Sequence, residues 1–142
     1  HIDFPLLHYR VPAWMAWRYR IRGILYWGGM SFWRPVDDPW TDPETLDRRD
    51  RNPKLVWNGE GSIVYPGRAV GYDGIAPSLR LKALRDAIED YEYFALCERL
   101  GVADEAQKIV LPLAPSWYQW EPDPAAYEAA RARLAELILS AQ

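Results

Sequence analysis

The sequence predicts an α/β fold from three observations. Apolar residues at helical spacing precede a short, continuous apolar run, Ile24–Trp27. Two β-prone segments flank the glycine-bearing turn Asn58–Gly61, and helical patterns fill much of the chain after Pro77. A helix followed by a strand that is apolar on both faces is half of a β/α unit. We therefore expect helices that pack against a few strands, with residues 1–142 forming a single segment.

The composition narrows the range of partners. The 142 residues are 49% hydrophobic and 26% charged, which is ordinary for one domain. The net charge of -3, with acids and bases interspersed, provides no basic face for nucleic acid. No apolar stretch approaches the roughly 20 residues of a membrane helix, so we expect neither nucleic acid nor a membrane as partner. The many Trp and Tyr residues supply flat faces suited to sugars.

The sequence gives little support to metal or thiol chemistry. Cys97 is the only cysteine, so no internal disulfide or thiolate cluster can form. It lies in an apolar helical run with neither His1 nor His8 nearby in sequence, which favours an inert core thiol over a nucleophile. The two histidines lack metal-ligand spacing with each other or with nearby acids. We therefore expect no metal and no other cofactor.

The first helix is predicted from apolar residues that recur at steps of three and four over residues 11–21. Pro12 predicts either a kink or a helix that starts nearby, where its missing N–H costs least, and Gly23 is the expected stop. Trp14 and Trp17 share the apolar stripe. Both are predicted to be core residues.

A buried strand and a long loop are predicted next. The strand is the run Ile24–Trp27, apolar on both faces. Residues 31–53 follow it, are rich in Pro, Asp and Arg, and show no sustained periodicity. A connection of this length in a compact domain is usually a functional loop, and this one carries Trp33 and Trp40.

The chain then turns back on itself in a predicted β-hairpin. Its strands are Lys54–Trp57 and Ser62–Tyr65, and the turn between them contains Gly59 and Gly61, which can adopt positive φ.

Three further helices complete the prediction. The first opens at Ser78 and stops at Gly101. The second is capped by Asp104 and runs towards Val110, and the last covers residues 125–139. One apolar stripe is predicted to be the buried face of the first of these helices: Leu81, Leu84, Ile88, Tyr91 and Ala95.

Four stretches occur in an order typical of a known family. They are His1–Pro5 leading into Arg10 and the Trp14/Trp17 helix, then Gly23–Trp27, Asn58–Gly67 and Ser78–Tyr93. Over roughly residues 1–100 the chain resembles the C-terminal region of the glycoside hydrolase family 123 catalytic domain, including its uncharacterised relatives. The string Arg80–Tyr93 is the most specific part of the resemblance. Glu60 stands where the family usually carries Asp.

The resemblance implies the C-terminal part of a (β/α)8 TIM barrel, with its last helix, last strand, a β-hairpin and closing helices. It also implies β-N-acetylgalactosaminidase-like activity on a carbohydrate with N-acetylhexosamine, in which the substrate's 2-acetamido group is the nucleophile. An adjacent Asp-Glu pair then supplies the orienting carboxylate and the acid. We expect that pair, and the remainder of the barrel domain, in a part of the protein that precedes His1.

No acid pair within the chain matches that catalytic position. Asp104-Glu105 follows the helix stop at Gly101, where acids at a helix start satisfy free N–H groups. Glu89 and Asp90 are adjacent on a helix and point about 100° apart, so they cannot both face one glycosidic bond. The expected contribution of the chain is substrate binding, without a catalytic residue.

Five residues are predicted to bind the substrate. Trp27 ends the predicted strand, at the face where a barrel holds its active site, and offers a flat wall to a pyranose ring. Tyr26 precedes it, and Trp33, Asp38 and Trp40 lie on the loop that follows. Each also has a structural interpretation, with Trp27 in the core, the loop tryptophans as anchors and Asp38 as a turn opener.

The second hypothesis is a non-catalytic carbohydrate-binding or assembly module, or a degenerate glycosidase homologue, whose aromatic residues are mainly core. An Asp-Glu pair at a strand end in the preceding chain would distinguish the two hypotheses. Under both of them Trp117 and Trp120, on the loop of residues 111–124, have no assigned role.

Overall fold

The protein is described by a computed structural model that covers residues 2–26, 39–43, 58–71 and 73–142. The chain divides into two compact units. The sheet unit comprises His1–Leu6 and Leu25–Lys82, and the helical unit comprises Leu7–Ile24 and Ala83–Gln142. The described residues form four α-helices and a two-stranded sheet. This mixture confirms the α/β prediction at its coarse level, and the barrel and the single segment stay predictions.

The sheet unit contains the antiparallel strands β1, Val64–Pro66, and β2, Ile75–Pro77. Their register pairs Tyr65 with Ala76, and a short 3-10 helix, Gly67–Val70, connects them. β1 thus pairs with a later strand, whereas the predicted partner, Lys54–Trp57, lies outside the described residues.

The turn before β1 follows the prediction. Gly59 and Gly61 have φ of 58° and 71°, the left-handed region that glycine adopts without steric cost. Ser62 closes the turn by donating its N–H to the Gly59 carbonyl at 3.1 Å. A Cβ atom on Gly59 would lie 2.7 Å from the side chain of Ile2, so both conformation and close approach require glycine here.

The helical unit holds the main hydrophobic core. It is built from α1, Val11–Arg18, the larger part of α2, Leu79–Arg99, and the helices α3, Ala103–Val110, and α4, Pro124–Ser140. Trp14 and Trp17 are buried, as predicted from their helical spacing. No helix within the described ranges has the length and apolar character needed to cross a bilayer. The largest fully buried apolar side chains of the unit are Trp14, Phe94, Cys97, Val110, Tyr127 and Leu134.

The starts of α2 and α4 match their predictions closely. Ser78 accepts a hydrogen bond from the Leu81 N–H at 3.2 Å at the start of α2. Asp123 accepts one from the Ala125 N–H at 2.9 Å at the start of α4. The predicted cap of α3 is wrong, because its N-cap position is Val102 and Asp104 lies in the first turn. There its charge still faces the positive end of the helix.

The ends of α1 and α2 share one hydrogen-bond pattern. Gly101, at φ 76°, ends α2 as predicted. The predicted stop of α1 at Gly23 is wrong, because the helix ends at Arg18 and Arg20 adopts φ 56°. Arg20 donates to the Trp17 carbonyl and Ile21 to the Ala16 carbonyl, the Schellman arrangement that satisfies the last free carbonyls of a helix. A non-glycine residue can therefore end a helix this way when these bonds form.

The predicted buried strand after α1 is wrong over its described residues. Ile24, Leu25 and Tyr26 belong to no strand. Leu25 is 89% exposed, and the other two side chains are also exposed. A central strand requires hydrogen-bonded neighbours on both sides, and no described strand lies beside these residues. Trp27, the last residue of the predicted strand, lies outside the described residues.

The predicted buried face of α2 is also wrong, since Ile88 is 59% exposed and the other four residues of the stripe are only half-buried. The residues that face the core lie one position away along the helix. They are Ala87, Asp90, Phe94 and Cys97. One of them is an acid, which is why a search for apolar periodicity misplaces the stripe.

Candidate functional site

An aromatic stack forms the candidate site in the sheet unit. The rings of Trp40 and Tyr65 lie nearly parallel, with centroids 5.1 Å apart and planes 18° from each other. Trp40 comes from the turn at residues 39–41, and Tyr65 is the central residue of β1. The indole N–H of Trp40 donates to the Ala69 carbonyl at 3.3 Å. Trp40 is nevertheless 60% exposed, so the stack presents an indole surface to solvent.

Arg80 supports the stack from the buried side. It lies in the first turn of α2, only 5% exposed, and its Nε donates to the Ser62 carbonyl at 3.0 Å. Its guanidinium carbon lies 5.5 Å from the centroid of the Tyr65 ring, and its two Nη atoms lie 3.4 and 3.5 Å from the phenol oxygen. The guanidinium therefore joins the start of α2 to the turn before β1 and to the Tyr65 ring.

This arrangement is suited to holding the flat face of a sugar. An indole backed by a second ring and hydrogen-bonded at its N–H is fixed in orientation before any ligand arrives, which lowers the entropy cost of binding. The C–H groups on one face of a pyranose can then replace water on the exposed indole. The exposed surface of the stack is the indole of Trp40, which has no titratable group, so this surface is suited to binding.

The structure describes two of the five predicted site residues. Trp40 belongs to the stack, and Tyr26 lies in the same unit with its ring partly exposed. Trp27, Trp33 and Asp38 lie outside the described residues. Substrate binding by all five stays a prediction.

Tyr65 and Arg80 were missed as candidate site residues. Both lie within the stretches that carry the family resemblance, Asn58–Gly67 and Ser78–Tyr93. Their location in these stretches was the one feature of the sequence that could have indicated a role in the site. What the sequence does not show is that residues 15 positions apart meet across a strand and a helix start.

A buried ion pair organises the helical unit. Asp90, fully buried on α2, accepts two hydrogen bonds from Arg10, at 2.6 Å from Nε and 3.0 Å from Nη2. The indole N–H of Trp14 donates to the same carboxylate at 2.8 Å. The bidentate geometry is the strongest form of such a pair. Asp90 thus joins α2 to both Arg10 and α1.

Charged residues of α4 extend this pair. Glu128 accepts a hydrogen bond from Arg10, and Arg131 donates to Glu89 at 2.7 Å. Burial disfavours the charged form of Arg10, but the hydrogen bonds that Arg10 donates to Asp90 and Glu128 outweigh it, and the pKa of Arg10 lies above its ordinary value. The acids at positions 89 and 90 therefore bind arginines of the same unit.

Two buried ionisable groups in the core are held neutral. Burial raises the pKa of the Cys97 thiol and, together with the charge of Glu121, that of the Tyr127 phenol. The Tyr127 hydroxyl donates to the Leu113 carbonyl at 3.3 Å. A buried thiol with a raised pKa is a poor nucleophile, which agrees with the interpretation of Cys97 as a core residue.

A comparison with models of protein families assigns most of the chain to one family. The model of the family described as glycoside hydrolase 123, catalytic domain, matches residues 1–97, more than half of the 142-residue chain. The chain belongs to the glycoside hydrolase 123 family. No curated protein matches it.

Family membership gives the stack its chemical context. Members of the glycoside hydrolase 123 family are glycoside hydrolases, and their substrates are carbohydrates. The matched segment includes Trp40, Tyr65 and Arg80, as well as Arg10 and Asp90. It ends within α2, so α3, α4 and the loop between them lie beyond the match.

Proposed function

We propose that the chain is the C-terminal part of a glycoside hydrolase barrel domain and supplies part of its substrate-binding wall. The observation that carries the proposal is the exposed Trp40 ring stacked on Tyr65, within a chain of the glycoside hydrolase 123 family. Trp27, Trp33, Tyr26 and Asp38 complete the wall in this proposal. The partner that completes the fold is the remainder of the (β/α)8 barrel.

The proposed substrate is a carbohydrate with N-acetylhexosamine. In the proposed mechanism the 2-acetamido group attacks the anomeric carbon, so that no protein nucleophile is needed. An Asp-Glu pair from the part of the protein before His1 orients the acetamido group and protonates the leaving oxygen. The aromatic wall holds the pyranose ring during both steps, and its contribution is to binding and orientation.

The exposure of Trp40 in the stack favours a binding role over a core role for this residue. A core tryptophan loses nearly all its exposure, as Trp14 does, whereas Trp40 keeps 60% of its surface. Its indole N–H donates to the Ala69 backbone carbonyl, which orients the exposed ring. This difference between the two tryptophans also defines the test.

The experiment compares Trp40→Ala and Trp27→Ala in the intact enzyme. If the wall binds substrate, kcat/KM on an aryl N-acetyl-β-galactosaminide should fall about tenfold or more, equivalent to roughly 1.4 kcal/mol. The melting temperature should change little for Trp40→Ala. Trp14→Phe is the matched control, because Trp14 is fully buried and should lower stability while leaving kcat/KM per folded molecule intact. Unchanged kcat/KM in both Trp→Ala variants would contradict the proposal.

The position of the acid pair has a separate test. We expect the 142-residue chain alone to show no turnover of the same aryl glycoside, since its acids lack the paired geometry. Turnover that coincides with the protein peak through purification would place the acids within this chain. That outcome would overturn the mechanism while leaving the binding wall in place.

A further inference from the structure

A second group of exposed aromatic residues lies in the helical unit, on the loop between α3 and α4. Trp117, Tyr118 and Trp120 are 50%, 86% and 37% exposed. The loop is held by its own backbone, with the Glu121 N–H donating to the Leu113 carbonyl at 2.8 Å. Ser116 accepts the Tyr118 N–H through its hydroxyl at 3.3 Å. Exposed aromatic surface on a fixed loop is a frequent mark of a binding site.

Trp117 and Trp120 line a groove of about 550 Å³. Its other wall is formed by α1 and the residues that follow it, with Val11 and Met15 among them. The volume is in the usual range of small-ligand sites, about 300–1,000 Å³. None of the described residues that line the groove carries a carboxylate, an ammonium or a guanidinium group.

Both indole rings are positioned by edge-to-face contacts. Trp120 lies 5.5 Å from the His8 ring at 89°, and Trp117 lies 4.7 Å from the Tyr19 ring at 82°. An edge-to-face contact covers at most one face of a ring, whereas a sandwich between two rings covers both. Each indole therefore retains surface on which a flat ligand can lie.

A polar cleft adjoins the apolar groove. It has a volume of about 400 Å³, and Trp120 lines both spaces. Tyr118, Gln119 and Glu121 contribute hydrogen-bonding groups to this cleft. Apolar surface is thus placed directly beside donors and acceptors, and a pyranose has the matching combination of a C–H face and a hydroxyl edge.

We propose that this groove is a second carbohydrate-binding site, specific for neutral pyranose chains. The groove is lined by apolar and aromatic residues together with His8, and among their described residues neither the groove nor the cleft contains the lysine or arginine that a phosphate, a nucleic acid or an anionic lipid headgroup would require. Trp117 and Trp120 lie beyond residue 97, outside the segment that the family model matches. The site uses different residues from the wall that contains Trp40, so the two proposals can fail independently.

The test is affinity electrophoresis of the protein in gels that contain glycol chitin or hydroxyethyl cellulose. We expect at least one polymer to retard the protein. Trp117→Ala and Trp120→Ala should each raise the dissociation constant about tenfold or more. Phe4→Ala is the matched control, because Phe4 is an exposed aromatic residue outside both the groove and the wall that contains Trp40, and it should retain the retardation. Trp117→Phe should restore part of the binding, because it keeps a flat ring, and circular dichroism should confirm that every variant is folded.

Three results would overturn the proposal. One is the absence of retardation in both polymers. Another is retardation that is lost in Trp40→Ala but kept in Trp117→Ala and Trp120→Ala, which would assign all carbohydrate binding to the wall. The third is a concentration-dependent dimer that dissociates in Trp117→Ala while polymer binding is unchanged, which would assign the groove to a second copy of the chain.

Discussion

The two units each bury an arginine, and they stabilise it in different ways. Arg10 and Arg80 are 6% and 5% exposed. Arg10 pairs with the carboxylates of Asp90 and Glu128 in the helical unit. Arg80 in the sheet unit donates to a backbone carbonyl and lies over the Tyr65 ring. No carboxylate among the described residues forms an ion pair with Arg80.

This difference separates a structural cation from one that supports a surface. Two charges removed from water must be paired completely, so the Arg10 cluster fixes one arrangement of the helices around it. Within the described ranges the Arg80 guanidinium contacts only neutral acceptors and a ring, and each of these contacts is weaker than an ion pair. Arg80 holds in place a stack whose outer ring, Trp40, remains exposed. The larger energetic consequence is therefore expected in the helical unit.

The largest expected effect follows from Asp90→Asn. The substitution keeps the shape of the side chain but leaves the buried Arg10 charge without its bidentate partner, so we expect a loss of about 3–5 kcal/mol in the free energy of unfolding. Urea denaturation followed by circular dichroism measures it. Glu89→Gln is the matched control, since the neighbouring Glu89 side chain is 47% exposed and its ion pairs with Arg85 and Arg131 should each contribute less than about 1 kcal/mol. Equal losses of unfolding free energy in both variants would contradict the view that the buried Asp90–Arg10 pair stabilises the helical unit more than the exposed Glu89 pairs do.

The rate of Cys97 alkylation provides a kinetic test of the comparison between the helical unit and the sheet unit. The thiol is buried in the helical unit and burial raises its pKa, so iodoacetamide at pH 8 should react only after this unit opens. Asp90→Asn should accelerate the reaction about a hundredfold or more, following the larger open population. Arg80→Met should leave the rate nearly unchanged. Acceleration by both substitutions would show that the units open together.

The raised pKa of Cys97 also fixes the direction of a pH effect. A group whose pKa is higher in the folded state stabilises the fold below its unfolded pKa. Between the unfolded and the folded pKa the thiol ionises only in the unfolded chain, which favours unfolding. The contribution to stability is therefore lost as pH rises through the folded pKa. Stability should therefore fall at alkaline pH, and Cys97→Ala should reduce the fall. A steeper fall in the variant would contradict this linkage.

The sequence predicted some elements well because their signals are local. The burial of Trp14 and Trp17 follows from helical spacing, and the stop at Gly101 follows from one residue type. Asp90 was different, since Arg10 is 80 positions away and a charged residue is ordinarily assigned to the surface. Once an acid occupies the buried face of α2, apolar periodicity indicates the wrong face.

The candidate site was predictable only in part, for a related reason. Trp40 could be proposed as a loop aromatic because loops carry binding residues. Its stacking partner comes from β1, and its support from the start of α2, and neither has a local signature of ligand binding. The strand predicted at Ile24–Trp27 failed over its described residues because strand formation depends on neighbours that a local apolar run does not specify.

Arg80→Met is expected to have an intermediate effect. The substitution leaves the buried Ser62 carbonyl without its donor and removes the cation from the Tyr65 ring. We expect a loss of about 1–3 kcal/mol, smaller than that of Asp90→Asn, because no buried charge is left unpaired. Urea denaturation of the two variants under identical conditions gives the ranking. A loss as large as that of Asp90→Asn would indicate an ionic partner for Arg80.

The smallest expected effect is that of Tyr65→Phe, which distinguishes the ring from its hydroxyl. The hydroxyl lies 3.4 and 3.5 Å from the two Arg80 nitrogens, at the long limit for a hydrogen bond, so its loss should cost less than about 0.5 kcal/mol. Tyr65→Leu keeps comparable apolar bulk but removes the π face beneath Trp40 and Arg80, and should cost about 1–2 kcal/mol. If the ring orients Trp40, the fluorine NMR line of fluorotryptophan at position 40, assigned by its loss in Trp40→Phe, should shift in Tyr65→Leu and stay in place in Tyr65→Phe. An equal loss of stability in both variants would mean that the hydroxyl, and not the stacked face, holds Arg80 and Trp40 in place, and no change of the fluorine line in either variant would mean that Tyr65 does not orient Trp40.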